Sequence, residues 1–354
     1  MSRFLSAQHK ALVPYTPGEQ PTGRQYIKLN TNESPFPPSP HAVAYAAEAA
    51  KSLELYSDPT CSALCEAFAK QCGVAPDEVM MTNGSDEILY FAFLTFCDDR
   101  HPAAFADITY GFYSVFADLL HIPYTLIPLH EDFTINPEDY VSLGKTIFLA
   151  NPNAPTGIAL PLDAVERIIR GNPNNVVVVD EAYVDFGTES AVSLIHKYDN
   201  LLVTQTFSKS RSMAGARLGA GIGCKSLIAD LNTIRFSTNP YNVNRMTMAA
   251  GLGALEDDLY MRENCRTIVE TRGLTTEALR RLGFTVIDSA TNFVFAKADW
   301  IGGNDLYLQL KERGILIRHF ETPRLKDYNR ITIGTREQMR TLLCAIENIR
   351  EALS

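Results

Sequence analysis

The pattern of apolar and polar positions changes twice along the chain. The first forty residues keep no period. Prolines and glycines interrupt them, in PYTPGEQPTG and then NESPFPPSP, and proline can neither sit in a helix interior nor donate to a central sheet ladder. Residues 1–40 are therefore expected to form an extended arm. From 41 to 254 short apolar runs alternate with amphipathic ones. VMMT at 79–82, AAFAD at 103–107, TIFLA at 146–150, VVVVD at 176–180 and LLVTQTFSK at 201–209 predict strands, and DEILYFAFLTF and LDAVERIIR predict helices. An unbroken β-branched run such as VVVV suits a strand covered on both faces. Strands alternating with helices imply an α/β fold, a mostly parallel sheet flanked by helices. From 255 the texture changes to a long charged helical pattern, EDDLYMRENCRTIVETRGLTTEALRRLG, then FTVID, NFVFAK, another helix, ILIRHF, RITIGT and a last amphipathic helix. This is expected to be a smaller α+β C-terminal domain, 255–354.

Composition narrows the class. A chain of 354 residues, 46% hydrophobic and 21% charged, suits a globular protein of two domains. The net charge of −9 argues against a general nucleic-acid binder. No apolar run is long enough to cross a bilayer, and MSRFLSAQHK lacks the apolar stretch of a secretory signal, so a cytoplasmic protein without membrane attachment is expected. Of the seven cysteines, Cys61 and Cys65 lie four apart on a predicted helix, with Cys72 beyond. With no C-x-x-C pair and no histidine cluster they read as thiols in a reducing compartment, and no metal site is expected.

In such sheets ligands gather at the carboxyl ends of the strands. Gly84, Ser85 and Asp86 follow one strand, Asn151 and Asn153 another, Asp180 closes a third, and Lys209 stands just past a fourth. Four polar groups at one edge predict one shared site. Within TFSKSRSMAGARLG, Lys209 is accompanied by Thr206, Ser208 and Arg217, partners suited to a phosphate dianion. A lysine alone is an ordinary solvated group. An amine beside a bound phosphate is what a phosphorylated aldehyde cofactor needs. Asp180 alone reads equally as a helix cap; beside a pyridine ring it would keep the ring nitrogen protonated. Tyr183 either reaches the ring's phenolate oxygen or packs on the sheet. TNGSDEIL at 82–89 is a strand, a glycine turn and a helix start, which holds phosphate oxygens or is a plain capped turn. Tyr110 can stack on a planar cofactor or belong to the core. A nicotinamide-dependent oxidoreductase would also suit the α/β alternation. GAGIG at 219–223, however, lacks the G-x-G-x-x-G spacing and shows no helix pattern directly after it.

Taken in order, Gly84-Ser85-Asp86, Tyr110, NPNAPTG, DEAY and SK(x)7R resemble the fold-type I aminotransferases over nearly the whole chain. LNTNESPFPPSP, Tyr15 in PYTPGEQP, LYSDPT, NPYNVN and RITIGTREQ resemble the histidinol-phosphate aminotransferase subgroup. The resemblance implies pyridoxal 5′-phosphate, with Lys209 as the Schiff-base lysine and Asp180 on the pyridinium nitrogen. It implies Tyr183 and an asparagine of NPNAPTG on the ring's O3′, and Tyr110 stacked on the ring. Ser85, Asp86, Thr206, Ser208 and Arg217 would surround the phosphate. Tyr56 would reach the partner subunit's phosphate, which makes a homodimer the active unit. Arg330 and Arg318 would bind the substrate's acidic groups, with Tyr15 and Asn242 lining the same pocket. Aminotransferases of this type place asparagine directly before the proline of PTG. Here Ala154 stands there, which leaves Asn153 to supply the O3′ contact by a small shift in the loop. The implied reaction is transamination of histidinol phosphate with 2-oxoglutarate, against an aromatic amino-acid aminotransferase or a threonine-phosphate decarboxylase of the same fold.

Overall fold

The structure, a computed structural model, describes residues 2–21 and 23–353. The arm contributes one short strand, β1 (Ile27–Lys28), and leads into helices α1 (Pro40–Ala49) and α2 (Ser62–Cys72). Strand β2 (Val79–Thr82) and helix α3 (Ser85–Phe96) follow, then β3 (Ala103–Ala106), α4 (Phe112–Leu120) and β4 (Tyr124–Ile127). Next come β5 (Thr146–Ala150), α5 (Leu162–Arg170), β6 (Val177–Asp180), β7 (Leu201–Thr206) and β8 (Gly219–Gly223). Helices α6 (Lys225–Thr238) and α7 (Arg245–Glu256) complete this half. These alternations build a seven-stranded sheet in the order β2-β8-β7-β6-β5-β3-β4. Strand β8 alone runs against the direction of the other six.

Val177, Val178 and Val179 are fully buried between helices on both faces, as the VVVV run predicts. Burial of each stabilises the fold by about 1.5–3 kcal/mol relative to exposure. That packing makes the sheet's carboxyl edge, where Asp180 ends β6, a rigid platform. One expectation is corrected here. GAGIG forms β8, and α6 starts two residues after it. Its buried face, Leu227, Ile228 and Leu231, is diluted by serine, asparagine and threonine, so the apolar period is faint in the sequence. The glycines of β8 reflect close approach of α3. A Cβ on Gly219 would lie 2.5 Å from the Ser85 backbone nitrogen, and one on Gly221 2.7 Å from Ile88 Cδ1.

The C-terminal region begins with the long helix α8 (Asp258–Arg281) and continues through β9 (Phe284–Ile287), β10 (Phe293–Ala298) and α9 (Gly303–Glu312). ILIRHF divides into β11 (Ile315–Leu316) and β12 (Arg318–His319), followed by β13 (Asn329–Thr332) and α10 (Arg336–Leu353). Strands β12, β13, β10 and β9 form an antiparallel sheet, while β11 pairs in parallel with β1. The arm, which the sequence leaves free to pack on either domain, thus docks on the smaller one. No described helix is long and apolar enough to cross a membrane.

Candidate active site

Loops at the carboxyl edge of the large sheet, the arm and the small domain enclose two joined cavities. The inner one, of about 170 Å³, is floored by Ser85, Asp86, Asp180, Thr206, Ser208, Lys209 and Arg217. The polar groups predicted from three strand ends therefore converge, together with the Lys209 amine. Arg217 Nη2 donates to Asp86 Oδ2 at 2.9 Å, and Tyr110 donates its hydroxyl to Asp86 Oδ1 at 2.7 Å. Arg217 holds a left-handed backbone, φ +55°, as the chain turns from the lysine loop into β8. The Ser208 hydroxyl accepts from Thr206 at 2.9 Å and from Arg217 at 3.4 Å. Helix α3 starts from Gly84 at φ +81° without a side-chain cap, so its first N–H groups face a hydroxyl- and guanidinium-rich corner.

At the opposite end of the floor, Asp180 is 5% exposed. Its carboxylate accepts from Tyr113 at 2.8 Å and from Thr204 at 3.0 Å. Burial pushes its carboxyl up to about 6, against the pull of those two hydrogen bonds. Between the two ends, Lys209 Nζ donates to the Thr31 carbonyl at 3.3 Å and lies 5.9 Å from the Tyr183 ring centroid. Burial, reinforced by the Arg330 charge, brings its amine down to about 8. The Tyr183 hydroxyl accepts from Asn32 Nδ2 at 2.8 Å, and burial raises its pKa above the usual phenol value, so it holds its proton more tightly.

The outer cavity, about 790 Å³, shares Thr31, Tyr110, Ala154, Tyr183 and Lys209 with the inner one and adds Tyr15, Arg318, Phe320 and Arg330. Arg318 and Arg330 are direct cross-strand partners in the β12–β13 register, an arrangement that like charges disfavour. Neither has a carboxylate partner among the described residues. Arg330 Nη2 donates to the Asn30 carbonyl at 3.1 Å, and its buried Nε has no partner. Arg318 reaches the Thr16 and Pro17 carbonyls at 3.3 and 3.4 Å. Two guanidiniums opposed in one cavity, held by carbonyls and by the faces of Phe293 and Phe320 with no anionic partner, form a site for a dianion or two anions. Tyr15 stacks on Phe112 at 4.3 Å and closes the aromatic side.

Four predicted side chains line neither cavity, among them Tyr56, which is expected at the partner's site. Asn153 gives its amide hydrogens to the Ile108 carbonyl at 2.9 Å and to Thr156 Oγ1 at 3.2 Å, and accepts from Thr109 at 2.8 Å. Asn151 is likewise tied to both backbone groups of Leu160. The members of this loop that line the inner cavity are Pro152 and Ala154. Asn242 donates to Glu87 at 2.5 Å, beside α3, and does not line the cavity that holds Tyr15 and the two arginines. Tyr56 is 80% exposed and stacks on Tyr241 at 4.6 Å, away from the chain's own cavities. Sequence reasoning missed Asn32, Thr31, Tyr113 and Thr204. Asn32 carried a signal, its place in LNTNESP. Tyr113 carried one in its spacing of three from Tyr110 at a helix start.

Residues 24–346 match the family model for aminotransferase class I and II. A histidinol-phosphate aminotransferase of Marinomonas sp. (strain MWYL1) is 49% identical over 353 residues, covering 99% of this chain and 100% of the relative. One of Brachyspira hyodysenteriae is 48% identical over 341 residues, 96% of each. The crystal structure of histidinol-phosphate aminotransferase from Sinorhizobium meliloti in complex with pyridoxal-5′-phosphate superposes with a TM-score of 0.85 at 23% identity. The match covers 94% of this chain and 93% of that one.

Proposed function

The chain belongs to the class I and II aminotransferases, enzymes that use pyridoxal 5′-phosphate, and on that premise we propose that it moves the amino group of histidinol phosphate to 2-oxoglutarate in histidine biosynthesis. The observation that supports this substrate pair is the opposition of Arg318 and Arg330 in the cavity that also contains Lys209. Histidinol phosphate presents a phosphate ester and no carboxylate, whereas glutamate presents two carboxylates. A guanidinium fork accepts either oxyanion through two N–H bonds, so one pair of arginines serves both half-reactions. Tyr15, Tyr110 and Phe320 give the imidazole an aromatic wall.

The inner cavity fits the cofactor. A Cβ on Gly84 would lie 2.4 Å from Arg217 Nη2, so only glycine leaves this corner open where the uncapped start of α3 faces the guanidinium. Helix starts of this kind hold phosphate oxygens. Ser85, Asp86, Thr206, Ser208 and Arg217 would hold the phosphate, the first two through backbone N–H groups. Asp180 would face the ring nitrogen and Tyr110 the ring. Tyr183 accepts its hydrogen bond from Asn32, which leaves its own hydroxyl hydrogen for O3′; Asn153 joins it only by releasing one of its present acceptors. When bound, the cofactor supplies an electron sink at the substrate's Cα. The protein supplies the proton transfers. Lys209, with its amine lowered to about 8, is in part neutral near pH 7. It would take the Cα proton of the amino donor as general base and, in the second half-reaction, give a proton to the Cα that becomes glutamate's.

The same reading makes the active unit a homodimer in the cytoplasm. Leu53, Leu55 and Tyr56 in one loop, Phe236 near the end of α6 and Tyr241 in the loop after it are exposed apolar groups, and Tyr56 would contact the partner's phosphate. A single panel tests the function: purified protein, 2-oxoglutarate, and histidinol phosphate, phenylalanine, tyrosine or threonine phosphate as donor. Preferred turnover of histidinol phosphate is expected. Brisk turnover of phenylalanine or tyrosine with none of histidinol phosphate would replace the substrate reading and leave the cofactor site standing. A catalytically active monomer by light scattering would remove the dimer.

A further inference from the structure

Asp180 has an unusual environment for a buried carboxylate. No ion-pair partner stands beside it among the described residues, and the charge that acts on it most strongly, Asp86, has the same sign. A buried carboxylate without a cation is costly unless its oxygens are hydrogen-bonded. Here two neutral hydroxyls do this, Tyr113 on Oδ2 and Thr204 on Oδ1. The other groups facing it are Asp86 from α3 and the backbone N–H of Ala182. One hydroxyl on each oxygen leaves lone pairs for a further donor.

The Tyr113 hydroxyl is fixed by packing. The side chain is fully buried in the first turn of α4. Its ring meets Phe105 edge-on at 5.7 Å, Phe148 at 5.8 Å and Tyr110 edge-on at 5.7 Å. Phenylalanine would fill that space equally well, so core packing alone does not require the hydroxyl. One turn earlier, Tyr110 makes the matching bond to Asp86, at the Arg217 end of the floor. The two tyrosines, three residues apart on one helix start, therefore anchor the two acids at opposite ends of one cavity.

We propose that Tyr113, with Thr204 as its counterpart, is a positioning residue that keeps the Asp180 carboxylate ionised and in one orientation for the cofactor's ring nitrogen, without lining the cofactor cavity. The proposal rests on the reading of Asp180 given above. Removing the hydroxyl would leave burial less opposed, so the carboxylate would take up a proton more readily and its grip on a protonated ring nitrogen would weaken.

The test is to reconstitute the enzyme with ¹⁵N-labelled pyridoxal 5′-phosphate and follow the ring-nitrogen resonance with pH, alongside steady-state kinetics. Tyr113→Phe should lower kcat about tenfold, the low end for a bond to a charged group, with KM for both substrates within about twofold. The cofactor should stay bound, and the ¹⁵N signal should move toward the unprotonated nitrogen. In an Asp180→Ala background the same change should have no further effect on kcat, because the two act as one unit. A wild-type ¹⁵N signal in Tyr113→Phe, or an undiminished kcat loss in the Asp180→Ala background, would overturn the proposal. Thr204→Val is read in the same way: an unchanged nitrogen signal there counts against it even if Tyr113→Phe fails to fold. If Asp180→Ala itself retained a protonated ring nitrogen, the reading of Asp180 would fall instead.

Discussion

The inner and outer cavities share a wall but solve opposite problems. On the inner floor each charged group has a partner. Arg217 is matched by Asp86, Asp86 also by Tyr110, and Asp180 by two hydroxyls. In the outer cavity two arginines face each other across a strand pair and are held by backbone carbonyls and aromatic faces, without an anion. A floor that is satisfied in advance suits a group that stays bound through many turnovers. An unsatisfied pair of like charges suits anions that arrive and leave, since each arrival relieves repulsion and each departure restores it. The difference separates a permanent site from an exchange site.

The contrast breaks most completely at Lys209, which belongs to both cavities. Lys209→Ala should reduce turnover by roughly 10²–10⁴-fold or more, the range for losing a positioned general base, and borohydride should no longer fix cofactor to the chain. Recovery of reduced cofactor on another lysine would sink the assignment. On the inner side, Asp180→Ala should cost on the order of 10²-fold in kcat, as for loss of a fixed electrostatic stabiliser, while equilibrium dialysis still shows bound cofactor. On the outer side the losses should be smaller and depend on substrate. Arg330→Ala should weaken both half-reactions in kcat/KM by about 1.5–3 kcal/mol, one charge-assisted contact. Arg318→Ala should harm histidinol phosphate and glutamate more than phenylalanine. Equal harm to all three donors would mean that the arginines support structure and do not read anions.

The smallest effect sharpens the comparison through pH. Asp180 is raised to about 6 in the folded state. Between the ordinary carboxylate value and 6 the folded chain binds more protons than the unfolded one, so this group destabilises the cofactor-free fold above pH 6 and ceases to do so as pH falls. Asp180→Asn should therefore raise the melting temperature of cofactor-free protein at pH 8 by a few degrees, for about 1–3 kcal/mol. The gain should vanish near pH 4. A gain that is independent of pH would show that ionisation is not its source.

The inner floor was the more legible region in the sequence, and the reason is local. VVVVD places its aspartate at the end of a doubly buried strand, and SK(x)7R joins lysine and arginine through one loop, so few steps connect residue to position. The outer pair depends on register. ILIRHF reads as one strand, yet it divides between two sheets, and only the second piece sets Arg318 opposite Arg330. No periodicity in either segment encodes that pairing. Asn153 illustrates a different limit. Its loop matches the family pattern letter by letter except at Ala154, but besides Thr156 in its own loop Asn153 is tied to the Ile108 carbonyl, 45 residues away. The hydroxyls on Asp180 were hidden for the same reason, because Tyr113 and Thr204 reach it across 67 and 24 residues, and the spacing of Tyr113 from Tyr110 does not name its partner.

The arm's pairing has a consequence for how the molecule comes into being. Strand β1 has its partner 288 residues later, and the Asn32 backbone nitrogen bonds to Thr332 Oγ1, 300 residues later. During synthesis the arm leaves the ribosome long before its partners are made. Long-range pairings of this kind form late, since the entropy of closing so long a loop is offset only when the distant surface already exists. Thr31, Asn32 and their contacts with Lys209 and Tyr183 therefore come together after the large sheet has folded. A chain cut short near its C-terminus would still build the platform that carries the lysine and would lack the strands on which the arm closes it.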